Sequence, residues 1–208
     1  MRRGFCFIWG DEILKVALLI DGGYLRACAK AARKNYDNVF INAFALNCIL
    51  PDEYLLRIFY YDSPQFRGTV QLPVSGQDTT FQSSDAWLKA LAKLERFAVR
   101  QGTLGFRGWK PKNIPIAGGA PLTDQDFSPI FEQKGVDMRI GLDIANFSQT
   151  RGIDRIILVS GDQDMIPAMK QARKAALEVV SVQMPTPSKN LHDSLKAHSD
   201  VIRNVAWP

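Results

Sequence analysis

β-type apolar runs alternate with helical patterns along these 208 residues. That alternation points to an α/β fold, a three-layer α/β/α sandwich with a mostly parallel central sheet. Two of the runs, Val16–Ile20 and Arg155–Ser160, end directly in acidic turns, at Asp21 and at Asp162 with Asp164. A third acidic signature, KGVDMRIGLD, carries Asp137 and Asp143. The C-termini of parallel strands share one edge, and ligands bind in the crevice just outside it. Carboxylates gathered there repel one another: at about 5 Å and an effective dielectric of about 20, each pair costs roughly 3 kcal/mol. A hard, oxygen-seeking cation such as Mg2+ or Mn2+ is the natural counter-charge. Metal-dependent phosphoester hydrolysis is the chemistry that follows.

Val16–Ile20 is a strand, Gly22-Gly23 a turn, and Tyr24–Lys34 a helix with Leu25, Cys28, Ala29 and Ala32 on one face. A short helix near Ala43–Leu50 is stopped by Pro51. YLLRIFYY at Tyr54–Tyr61 is a strand rich in aromatic and branched residues. Pro64–Gln82 reads as a long loop, Ser83–Arg100 as one amphipathic helix bearing Trp87, Leu91, Leu94 and Val99, and Thr103–Trp109 as a strand. Lys110–Pro129, dense in Pro and Gly, reads as a second loop; structureless segments of that length are usually functional or disordered. Then come helix Val136–Ser148, strand Arg155–Ser160, helix Asp164–Ala175, strand Glu178–Val182, a helix near Lys189–His198, and a last strand at Val201–Val205. The expected organisation is one domain over 15–208 with loops inserted at about 64–82 and 110–129.

The bulk numbers bound the function. A hydrophobic content of 46% and a charged content of 23% are those of a soluble globular chain. The net charge of +5 suits a polyanionic partner such as RNA. Three cysteines, Cys6, Cys28 and Cys48, with no C-x-x-C spacing, argue against a zinc site or a disulfide framework and for a reducing cytoplasm. His192 and His198 read as surface residues. No stretch approaches the ~18 apolar residues of a membrane span. In MRRGFCFIWGDEIL, Asp11 and Glu12 interrupt the apolar run too early for a signal-peptide core. Residues 1–14 are expected to be an N-terminal extension, an added edge strand or a contact with a second copy in a homodimer.

Each acid has a bland reading beside the chemical one. Asp21 either caps the next helix or faces a ligand that Gly22 and Gly23 admit. Ser160 with Gln163 has the form of a capping box, but that does not account for both Asp162 and Asp164, whose repulsion the helix N-terminus offsets by only ~0.3–1 kcal/mol. Asp137 and Asp143 on one helix point about 120° apart, so both cannot face one ion. Asp137 belongs with the edge; Asp143 is a supporting residue or a tie to a neighbouring element. Lys134 either pairs with the acids, holds a substrate phosphate or is solvated. Asp62 is expected to start a turn with Ser63-Pro64. Arg67, Arg107, Lys110 and Lys112, interleaved with Phe66, Phe106 and Trp109, either form a surface for single-stranded RNA or are a solvated loop whose rings fold inward.

The ordered set LLIDGGY, YYDSP, KGVDMRIGLDI and ILVSGDQDMIPAMKQARKAALEVVSV resembles the NYN family of PIN-like nuclease domains, most closely its LabA-like (DUF88) branch, over roughly Lys15 to Val205. The resemblance implies a PIN-like α/β/α sandwich and a metal-dependent ribonuclease. It places catalytic, metal-holding acids at Asp21, Asp137, Asp162 and Asp164, with Asp143, Lys134 and Ser160 in supporting or substrate-contacting roles. Phosphodiesters of RNA would be cut by a metal-activated water, with Mg2+ or Mn2+ as cofactor. Where family first motifs commonly read I-D-G-x-N, this chain has Tyr24 and no Asn. An RNA-binding module of the same fold with weak or no cleavage is the alternative. Toprim-like and dehalogenase-like sites also use D-x-D, but the first needs an upstream Glu and the second a D-x-D after the first strand. No phosphate-binding G-x-x-x-x-G-K-[ST] loop is present.

Overall fold

The computed structural model describes residues 13–115, 121–186 and 189–208, so the expected N-terminal extension lies almost wholly outside it. Its centre is a six-stranded, all-parallel sheet in the order β10-β9-β8-β1-β2-β5. These strands are β1 (Leu14–Asp21), β2 (Glu53–Asp62), β5 (Phe97–Gln101), β8 (Arg155–Val159), β9 (Glu178–Gln183) and β10 (Val201–Asn204). β1 has the sequence of a strand buried on both faces, and residues Val16–Ile20 are fully buried. Val16, Leu18 and Ile20 enter a core against α1 (Gly22–Ala31), α2 (Asn38–Asn47) and α3 (Ala86–Leu91). Ala17 and Leu19 enter the other, against α4 (Val136–Thr150), α5 (Ile166–Lys174) and α6 (Asp193–Ala197). The expected α/β/α sandwich is therefore the fold.

Strand order reverses beside β1: β2 lies on one side and β8 on the other, with the chain leaving in opposite directions from that point. Such a switch point opens a crevice at the strand C-termini, where Asp21 and the turn after Val159 stand.

Three expectations fail. Pro64–Gln82 is not a loop; it holds the antiparallel hairpin β3 (Gly68–Gln71) and β4 (Asp78–Phe81). Lys110–Pro129 is a loop only in part, because β6 (Thr103–Pro111) and β7 (Phe127–Lys134) pair as a second hairpin across it. The long helix over Ser83–Arg100 is α3 alone, followed by β5. Arg96, in the left-handed region at φ 63°, reverses the chain. Phe97 then faces one core and Ala98 the other, a strand alternation that pairing with β2 makes possible. Non-local pairing overrides the local helical period here.

Phe66, Phe81, Phe106, Trp109 and Phe131 clamp the two hairpins together, with neighbouring ring centroids 5.4–6.4 Å apart. Trp109 Nε1–H donates to the Gln71 carbonyl at 2.8 Å, and Arg107 pairs with Glu132. The rings once open to an RNA-stacking reading are thus engaged with one another.

Glu53 and Arg155, the first residues of β2 and β8, meet at the sheet edge opposite the crevice. Glu53, its side chain fully buried, accepts from Arg203 at 2.9 and 2.7 Å and from the Leu50 N–H at 2.7 Å, and pairs with Arg155. Burial pushes its carboxyl up, but the hydrogen bonds from Arg203, Leu50 and Arg155 prevail and hold it below its ordinary value. Because the folded-state pKa is depressed, this contribution is present at neutral pH and is lost as pH falls through the folded value, below 4.5. Glu53→Gln is expected to lower the unfolding free energy by roughly 3–5 kcal/mol, since it leaves buried arginine charge unpaired. The shift of the urea midpoint at pH 7 checks it.

Candidate active site

The last residue of β1, Asp21, caps α1: its Oδ1 accepts the Tyr24 N–H at 3.0 Å. Gly22 is required beside it, because a Cβ there would lie 2.5 Å from Tyr60 Oη and 2.8 Å from Asp62 Oδ2. After β8, Ser160 is buried and its Oγ accepts the Asp162 N–H at 3.1 Å, which shapes the turn. Asp162 Oδ1 accepts the Asp164 N–H at 2.8 Å and so opens a single 3-10 turn, Gln163–Met165, ahead of α5. The expected Ser160–Gln163 box is not formed; Gln163 Oε1 instead accepts from Ser194 Oγ at 2.9 Å. Gly161 must lack a side chain, since a Cβ would come within 2.4 Å of the Tyr24 ring. Tyr24, standing where the family's Asn was expected, lies across this glycine, and its Oη donates to the Lys189 carbonyl at 3.3 Å.

Asp137 arrives by another route. Hairpin strand β7 ends at Lys134, Gly135 turns in the left-handed region at φ 78°, and α4 begins with Asp137 in its first turn. A carboxylate there is favoured by the helix dipole. One cavity of about 630 Å3 is lined by Asp21, Asp137, Asp162 and Asp164, with Tyr24 and Gln133. Gln133 was not foreseen. It comes from β7, beyond the expected loop, and no sequence signal distinguishes it from other surface glutamines.

The electrostatics are those of crowded like charges. Burial, opposed by the Tyr24 N–H and aided by the charges of Asp137 and Asp62, raises Asp21 from 3.8 to about 6. Burial, then the charges of Asp162 and Asp164, raise Asp137. None of the four lies in a salt bridge among the described residues.

The remaining expected residues sit elsewhere. Asp143 accepts from Tyr61 Oη at 2.8 Å and Arg100 Nε at 3.2 Å, tying α4 to the sheet, as the 120° offset required. Lys134 is exposed and stands 3.9 Å from Glu132, not among the acids. Asp62 is buried rather than a simple turn residue: Arg26 Nη2 donates to it at 2.9 Å and Tyr60 Oη at 3.1 Å.

The donor set, carboxylates with a carboxamide, fits a hard divalent cation in chemistry and charge. As the side chains stand, no three Asp, Glu, His or Cys among the described residues converge to grip one ion. Asp21 Oδ1 and Asp162 Oδ1 accept backbone N–H groups, which leaves the second oxygen of each carboxylate for a cation.

A family model, NYN domain, matches residues 15–202. The chain belongs to the NYN domain family. NYN and PIN-like domains are generally nucleases, usually work with divalent metal ions, and take RNA as substrate in general. No curated protein matches this NYN domain. A solved structure, the crystal structure of a protein of unknown function, VPA0982, from Vibrio parahaemolyticus RIMD 2210633, is similar to it. The two are 18% identical over 95% of this chain and 96% of that one, with a TM-score of 0.49. No helix of the NYN domain's described residues is long and apolar enough to cross a membrane.

The raised Asp21 carboxyl gives a signed prediction. Folding disfavours its charged form, so the penalty is absent below pH 3.8 and complete above about 6. Asp21→Asn keeps a good cap and removes the charge. In metal-free buffer at pH 7 it is expected to stabilise the domain by about 1–2 kcal/mol, allowing for partial solvent access, and to change little at pH 3.8. Paired thermal melts at the two pH values check it.

Proposed function

We propose that this NYN domain is a metal-dependent endoribonuclease of RNA processing or turnover, in the LabA-like branch, with its site at Asp21, Asp137, Asp162 and Asp164. The observation that supports it is that these four acids share one cavity with no salt-bridge partner among the described residues, while three other acids of the sheet and its flanking helix are paired. Asp62 has Arg26, Asp143 has Arg100, and Glu53 has Arg155 and Arg203. Uncompensated charge at the switch point of a parallel sheet is what a cation site demands.

The four acids would hold one or two Mg2+ or Mn2+ ions, which when bound stabilise developing phosphate charge and ease deprotonation of water. The chain's own part is placement. α1, α4 and the turn after β8 present the acids from three sides. Tyr24 walls the cavity, and Gln133 offers a carboxamide N–H to a phosphate oxygen. Hydrolysis adds water across one P–O bond, so no protein nucleophile is consumed. The buried free thiols of Cys28 and Cys48 suit a reducing compartment, and we assign the work to the cytoplasm.

A second reading, an RNA-binding module with little cleavage, is favoured by one observation: the acids do not converge as placed. Cleavage of end-labelled single-stranded RNA separates the two. Cutting is expected with Mn2+ or Mg2+, to stop with EDTA, and to fall at least about 100-fold in Asp162→Asn, a loss of roughly 2.7 kcal/mol of transition-state stabilisation. RNA binding by that variant should persist. Folded protein that binds RNA but never cuts it establishes the second reading.

A further inference from the structure

A second cavity, of about 570 Å3, opens on the same edge of the sheet, beyond the end of β2. It is lined by Arg26, Tyr36, Asn38, Ser63, Gln65 and Trp87 among others. We propose that it is a nucleobase subsite, holding one base of the RNA strand whose backbone crosses the acidic cavity; the strand's presence there rests on the ribonuclease reading.

The two cavities are close neighbours. Asp21 is the ladder partner of Tyr61, so Asp62 and Ser63 continue the adjacent strand, about 4.8 Å away. A hydrogen-bonded partition divides them. Tyr36 Oη, 3.2 Å from the Gly22 carbonyl, donates to Tyr60 Oη at 2.6 Å, Tyr60 Oη donates to Asp62 at 3.1 Å, and Arg26 donates to the same carboxylate at 2.9 Å. A strand leaving the acids over the first turn of α1 therefore passes directly above the second cavity.

The lining suits a base and not a phosphate. Its cation, Arg26, is neutralised by Asp62 and lies 5.9 Å from the Tyr36 ring centre. Its acid, Asp37, is used as the cap of α2, accepting the Phe40 N–H at 2.8 Å. What is left is aromatic surface from Tyr36 and Trp87 and neutral polar groups. Asn38 Nδ2 donates to the Trp87 carbonyl at 3.0 Å and fixes the indole's backbone. Gln65, on the rim, carries both a donor and an acceptor for a base edge. A flat heterocycle stacked on this aromatic wall would present its polar edge to Gln65. Stacking of this kind is indifferent to which base is present.

The test is a nucleotide titration followed by the Trp87 indole N–H signal in two-dimensional NMR, assigned with Trp87→Phe. The full chain is kept in EDTA, and the probes are adenosine and uridine 5′-monophosphates, with ribose 5-phosphate as the base-free control. Both nucleotides are expected to move the Trp87 signal and ribose phosphate to leave it in place. Trp87→Leu should weaken nucleotide affinity roughly 5- to 150-fold, the range for one lost stacking contact. Gln65→Ala, an exposed change that spares the core, should weaken it about 5-fold. Equal shifts with ribose phosphate, or unaltered affinity in folded Gln65→Ala, overturn the subsite. Because no metal or cleavage enters this measurement, a protein that binds the bases yet never cuts RNA sinks the nuclease reading and leaves the subsite standing. Cutting without a base-dependent shift does the reverse.

Discussion

β1 is the strand around which this molecule is arranged, because it pairs in parallel with β2 on one side and β8 on the other. That double pairing buries Val16–Ile20 completely. It also fixes where the chain must emerge, and Asp21 has nowhere to go but the crevice between two diverging connections. The turn after β8 opens into the same crevice by the same register, Ile20 lying opposite Val159. The approach of Asp21 to Asp162 is thus a consequence of hydrophobic strand packing, which is strong enough to hold like charges together that would otherwise separate.

The two ends of the sheet handle charge in opposite ways. At the strand N-termini, Glu53 is matched by Arg155 and Arg203, and Arg155 reaches Glu178 as well. At the C-termini, burial lifts Asp21 and Asp137 toward protonation, with no salt-bridge partner for either among the described residues. The first arrangement serves stability. The second works against it, and such a cost is ordinarily retained where a ligand supplies the missing charge.

Legibility in the sequence follows the range of the interactions. β1, β2, β8 and β9 could be read because each is buried by its own apolar run, and Asp21, Asp162 and Asp164 because they abut those runs. The 120° offset separated Asp143 from Asp137 before any contact was known, and Tyr61 and Arg100 are where the displaced carboxylate goes. Of the hairpins, only β6 was legible, as the strand Thr103–Trp109. β3 and β4 are short and polar, and their stability lies in rings supplied by β6 and β7, far along the chain. β5 was hidden under a helical period that AWLKAL satisfies locally, while FAVRQ is held by β2. Gln133 was hidden with β7, and the burial of Asp62 depends on Arg26 and Tyr60, whose proximity no spacing reveals.

The hairpins also change what the site is. Had α4 followed a strand of the central sheet, Asp137 would be placed by the core alone. Instead it is reached through β7 and the left-handed turn at Gly135, so the rings that clamp β6–β7 onto β3–β4 help set its position. Asp21, Asp162 and Asp164 belong to the sheet edge, while the fourth acid, Asp137, follows the strand whose end carries Gln133 into the cavity. Anything that shifts the hairpins moves Asp137 and Gln133 together relative to Asp21 and Asp162. The position of Asp137 relative to Asp21 and Asp162 thus depends on ring packing outside the sandwich as well as on the core that takes Val136.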